Sequence, residues 1–74
     1  MKISYDPSVD AAYINLIDGN ESPSFGFSYT CDAAAVGGQI NLNFDVMGRL
    51  MGIEIQQASI KLPKSILAHR ADKT

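Results

Sequence analysis

Three stretches of the chain alternate between apolar and polar residues with a period of two. In Ser24–Cys31, Phe25, Phe27, Tyr29 and Cys31 fall on one side and Gly26, Ser28 and Thr30 on the other. In Ile40–Asp45, Ile40, Leu42 and Phe44 oppose Asn41, Asn43 and Asp45. In Leu50–Gln56, Met51, Ile53 and Ile55 oppose Gly52, Glu54 and Gln56. Side chains alternate across a strand, so this spacing predicts strands with one buried and one wet face.

The opening segment fits two readings. Residues 2–5 alternate like a strand. Val9, Ala12, Tyr13, Leu16 and Ile17 stand at i, i+3, i+4, i+7 and i+8, which is helical spacing. Asp6-Pro7 suits a helix start, and equally a type I turn with Asp at i and Pro at i+1. Tyr13 and Ile14 favour a strand. The residues alone leave 7–17 open between strand and helix.

Turns follow from the punctuating residues. Asp18-Gly19-Asn20 is a turn, Asp10 falls in the turn after Pro7, and residues 32–39 form a longer loop with paired glycines. Asp45-Val46-Met47-Gly48 reads as a type I turn followed by a left-handed glycine, which closes a bulged hairpin. In this reading Asp6, Pro7, Asp10, Asp45 and Gly48 are structural turn residues. The turn does not require Val46 and Met47 to be apolar, so they are expected to touch another surface, either the C-terminal helix or a second chain. After Gln57 the pattern becomes helical. Leu62, Ile66 and Leu67 share a face, Pro63 suits a first turn, and a helix is expected over about 62–70 with a frayed tail at 71–74.

These elements predict a single α+β domain over 1–74. A mostly antiparallel five-stranded sheet occupies 1–58, with strands near 2–5, 11–17, 24–31, 39–45 and 49–56. One C-terminal helix packs on its apolar face. That face is too wide for one short helix, so part of it is expected to be buried by a second copy, with a dimer favoured. A chain of 74 residues buries only about 60% of its unfolded surface, which gives it reason to gain burial from a partner.

Charge and composition narrow the functions. The net charge is −2, unevenly placed. Lys2 and Arg49 stand against Asp6, Asp10, Asp18, Glu21, Asp32, Asp45 and Glu54 in residues 1–60, while Lys61, Lys64, Arg70 and Lys73 outnumber Asp72 beyond. An acidic body argues against nucleic-acid binding by the body of the domain. There is one cysteine, Cys31, so no intramolecular disulfide and no Cys-rich metal cage is expected. No stretch approaches the roughly 20 apolar residues of a membrane span. The first residues lack the apolar run of a signal peptide, and a cytoplasmic protein is expected. No cofactor is expected, since the glycine pair at 37–38 belongs to no phosphate-binding motif.

The candidate chemistry has plain structural explanations. Asp6, Asp10, Asp45 and Glu54 could form an acid–base set or a cation site, but turns and the wet strand face account for them. Cys31 and His69 could form a nucleophilic dyad if the helix end met the strand end; otherwise Cys31 is a small buried hydrophobe. The polar face, with Asn15, Ser28, Thr30, Asn41, Asn43 and Gln56, carries few charges, which suits a protein contact.

Two blocks of residues carry a resemblance. Tyr5-Asp6-Pro7, Asp10-Ala11 and Tyr13 form the first; Asp45, Gly48-Arg49-Leu50, Gly52-Ile53-Glu54-Ile55 and Ala58-Ser59 form the second. Together they resemble the small bacterial domain-of-unknown-function family 2283. The resemblance covers 1–17 and 40–60 and implies an antiparallel sheet with 11–17 as a strand. It supplies no catalytic residue. Members resemble genes found beside small toxin-like genes, which implies an antitoxin-like partner role. The chain departs from the family pattern in the Ala33–Gly38 insertion and in Val46-Met47, where related sequences carry acidic residues.

The expected function is therefore a non-enzymatic, homo-oligomeric interaction module, possible partner of a small protein. The alternatives are a small-ligand binder with a pocket between helix and sheet lined by Tyr5, Tyr13 and Phe27, and an enzyme using the carboxylates or Cys31 and His69.

Overall fold

A computed structural model describes residues 1–17 and 19–68 of the chain. It contains strands β1 (Lys2–Asp6), β2 (Ala11–Asn15), β3 (Phe25–Thr30), β4 (Ile40–Asp45) and β5 (Leu50–Gln56), and three one-turn helices, α1 (Ala33–Val36), α2 (Ala58–Lys61) and α3 (Lys64–Leu67). The five strands form one antiparallel sheet in the order β1-β2-β5-β4-β3. A β1–β2 hairpin and a β3–β4–β5 meander are joined where β2 pairs with β5. This leaves β1 and β3 as the two edges.

The register sorts the side chains. Ile3 pairs with Ile14, Ala12 with Ile55, Ile14 with Ile53, Leu42 with Ile53, Ile40 with Ile55, Tyr29 with Leu42 and Phe27 with Phe44. Directly opposed residues project to the same side, so these form a continuous apolar face. Ser4, Tyr13, Glu54, Asn41 and Thr30 form a row on the opposite, polar face. Tyr13 therefore belongs to the polar face of a strand, which settles the ambiguity of residues 11–15. Its ring lies over Gly52, where a Cβ would collide with it.

The C-terminal helix differs from expectation. Among the described residues no helix runs on from 62; α2 and α3 are single turns separated at Leu62-Pro63, and residues 69–74 lie outside the described ones. The cause is Pro63. The residue before a proline is pushed out of the helical region, and Leu62 has φ −104° and ψ 142°. Pro63 then heads α3. The loop at 32–39 also differs, because it holds α1. Asp32 caps α1 by accepting from the Ala34 backbone N–H, and left-handed Gly37 ends it, donating its N–H to the Ala33 carbonyl.

These short helices cover only part of the apolar face. α2 packs on β2 and β5. Ala58 is wholly buried against Ala12 and Ile55, and Tyr5, Ile14, Ile40, Ile53, Leu62 and Leu67 surround that cluster. Among the described residues the buried hydrophobics are Ile3, Ala12, Ile55 and Ala58. Two of the four are alanines, so the core is thin. No helix among the described residues is long and apolar enough to cross a membrane.

Candidate functional site

The uncovered half of the apolar face is the feature that ordinary folding does not explain. It is built on β3, every residue of which is exposed. Phe25, Phe27 and Tyr29 are 60%, 52% and 58% exposed. Phe27 and Tyr29 project to the apolar side, yet no described helix lies over them; a bulge at Gly26 sets Phe25 opposite Asp45 and so turns it to the other face, against the period-two expectation. Phe27 stacks on Phe44 of the neighbouring strand at 4.9 Å between ring centroids and 15° between planes, which fixes its ring against the sheet while leaving the outer side open.

The β4–β5 hairpin tip stands at one end of this half-face. Asp45 organises it. Its carboxylate accepts from the Met47 and Arg49 backbone N–H groups and from Arg49 Nε, each at 2.9 Å. The Gly48 N–H donates to the Asp45 carbonyl at 3.0 Å, and Gly48 has φ +80°. Asp45 is itself buried. The Arg49 backbone N–H holds its carboxyl below the usual carboxylate range, and burial opposes that shift only in part. With the turn specified by Asp45 and Gly48, Val46 and Met47 project outward, 66% and 74% exposed. At those exposures they are not folded back onto α2 or α3. β3 is pressed against the same turn: Val46 donates its N–H to the Ser24 carbonyl, and a Cβ at Gly26 would collide with the Asp45 carbonyl.

The polar face of the same strands carries a short chain of hydrogen bonds. Ser28 Oγ donates to Asn43 Oδ1 at 2.6 Å, and Asn43 Nδ2 donates to Glu54 Oε2 at 2.8 Å. Asn41 Oδ1 is buried with no hydrogen-bond partner among the described residues.

The remaining residues singled out from the sequence fall elsewhere. Asp6 accepts from the Ser8 N–H and Ser8 hydroxyl, an Asx turn that starts the β1–β2 loop at Pro7. Asp10 has φ +52° and ties that loop to α2 across 49 residues. Its carboxylate accepts from Ser59 Oγ at 2.7 Å, the Ser59 N–H at 2.9 Å and the Tyr5 hydroxyl at 2.8 Å. Gln57, at the start of α2, makes no side-chain cap bond, so Asp10 caps the helix from another element. The Ser59 hydroxyl, then Tyr5, lowers the Asp10 pKa. The sequence reading assigned Asp10 to a turn and missed this contact. The available signal was Asp10-Ala11 and Ala58-Ser59 recurring together in the two family blocks.

Tyr5, Tyr13 and Phe27 do not meet. Tyr5 and Tyr13 line an open depression of about 590 Å³ near β1 and β2, with Ser4, Asp6, Ala11, Ala12 and Glu54. Phe27 lies at the opposite edge, four strand spacings of about 4.8 Å from β1 and three from β2. Cys31 is half-buried after β3; His69 lies outside the described residues. Asp6, Asp10, Asp45 and Glu54 stay apart in their separate turns and strand, and no group of three metal-binding side chains gathers among the described residues.

Comparison with known proteins agrees with the pairing of the two blocks. The family model described as a protein of unknown function, DUF2283, matches residues 2–59. The chain belongs to this family. The match takes in all five strands of the DUF2283 domain and the start of α2, including both partners of the Asp10–Ser59 contact. No curated protein and no solved structure matches the chain.

Proposed function

We propose that this DUF2283 domain is a non-enzymatic, cytoplasmic interaction module that acts as a homo-oligomer, with a second copy meeting the surface built on β3. The observation that supports this is the exposure of Phe27 and Tyr29 beside Val46 and Met47, against a core whose buried hydrophobics, among the described residues, are two isoleucines and two alanines. Burying a large apolar side chain gains about 1.5–3 kcal/mol. A thin-cored chain therefore has more to gain from covering these residues than from leaving them wet. A two-fold contact would bury each of them twice. A small partner protein, in an antitoxin-like arrangement, is the alternative occupant of the same surface.

Light scattering separates them. The wild type alone is expected to have twice the mass of one chain. Phe27→Thr with Tyr29→Thr, which keeps β-forming residues at exposed positions, is expected to shift it to the monomer with unchanged circular dichroism. Val46→Asp with Met47→Glu measures the contribution of the hairpin tip. A wild type that stays monomeric at high concentration leaves the face to a different protein and overturns the homo-oligomer reading.

A further inference from the structure

β3 has a second property besides its exposed rings: among the described residues no strand pairs with its outer edge. The Cys31 N–H donates to the Ile40 carbonyl at 2.9 Å. Along a strand in an antiparallel ladder, alternate residues turn their N–H and C=O groups to the same neighbour. Tyr29 and Phe27 therefore turn theirs to β4, and Ser28 and Thr30 turn theirs outward, away from the sheet. Proteins blunt such an edge with lysine, proline or other charges. The other edge strand, β1, carries exposed Lys2 and Asp6. β3, with the sequence Phe-Gly-Phe-Ser-Tyr-Thr, carries no charge and no proline.

We infer that the outer edge of β3 pairs antiparallel with the β3 edge of a second copy, joining two five-stranded sheets into one of ten strands. This deepens the homo-oligomer reading and rests on it. The occupant follows from the strand itself, which is self-complementary. A two-fold axis perpendicular to the sheet and passing by Ser28 sets Ser28 opposite its own copy, with both outward N–H and C=O groups in hydrogen-bonding position. The same axis sets Phe27 opposite Tyr29 in two equivalent pairs that share no hydrogen bond, where cross-strand side chains come closest. The apolar face runs on without a break across the axis, because the rotation keeps each face on its own side. No like charges are brought together, since none are present on β3. Only even registers of this kind keep apolar side chains facing apolar ones. A slip by one residue would set rings against Ser28 and Thr30.

Amide hydrogen exchange followed by NMR, with sedimentation on the same samples, tests this. The Ser28 and Thr30 amides are expected to exchange at least about tenfold more slowly at millimolar than at low micromolar concentration, in step with the dimer fraction. Ser28→Lys, on the face away from the rings, is expected to weaken the dimer about tenfold or more by opposing two ammonium groups at the axis. A dimer in which Ser28 and Thr30 exchange without protection, and which Ser28→Lys leaves intact, overturns the edge pairing while keeping the homo-oligomer, joined through its apolar face instead. A monomer throughout overturns both.

Discussion

At the scale of single residues, two aspartates do different work from the acid–base roles their charge would allow. Asp45 turns a hairpin, and Asp10 fastens that domain's other hairpin to α2. Both carboxyls are held below the usual carboxylate range by hydrogen bonds to the charged form. The sign is fixed by that direction. A carboxyl whose folded pKa lies below its unfolded value, about 3.9, contributes stability above that value and loses it as pH falls through the folded pKa. Acid titration of the native fold should therefore show loss of stability beginning near pH 4 and continuing below it. Asp10→Asn and Asp45→Asn should each flatten that limb in urea denaturation. Gly48 provides a separate test. With φ +80°, replacement by a β-branched residue is strained even though space is open around it. Gly48→Val should cost about 1–2 kcal/mol in chemical denaturation. A neutral result would contradict the bulged turn.

At the scale of elements, the sheet was legible in the sequence and the helices were not. β3, β4 and β5 alternate with period two over six or seven residues, and the observed strands lie within one residue of the predicted bounds. β2 was ambiguous because Ala12, Tyr13, Leu16 and Ile17 satisfy a helical spacing by coincidence. The family resemblance, not the periodicity, pointed to a strand. The C-terminal helix failed because Leu62, Ile66 and Leu67 do fall at helical spacing, but Pro63 breaks the segment into two turns. Helix α1 was missed although Asp32, three alanines and Gly37 supply a cap, good helix formers and a left-handed stop. One turn is too short for periodicity to show. The Asp10–Ser59 tie has no local pattern to mark it, because its partners are 49 residues apart; only the pairing of the two family blocks bears on it. The packing of α2 gives a prediction at this scale. Ala58 is wholly buried against the sheet, so Ala58→Leu should overpack the contact and cost about 1–3 kcal/mol. The change should also perturb the Asp10–Ser59 hydrogen bonds in NMR spectra. An unchanged stability would mean that α2 does not hold its place on β2 and β5.

At the scale of the whole molecule, cover is distributed unequally over one sheet. The β1–β2–β5 half has α2, Leu62 and Leu67 upon it. The β4–β3 half ends in exposed rings and an uncharged edge. The sequence showed the apolar face and that it was too wide for a short helix. It could not show which half would be left bare, since that depends on strand order, and β3 becomes an edge only because β2 and β5 pair across the middle. Val46 and Met47 stand out in the sequence as apolar residues at a turn, whereas the rings of β3 alternate like core residues and give no sign of their exposure. Sedimentation equilibrium of the unmodified chain, from low micromolar to millimolar concentration, tests the central claim most directly. A second copy joined at β3 requires a mass that rises with concentration to twice the 8.0 kDa of one chain. A single species of 8.0 kDa across that whole range would contradict it.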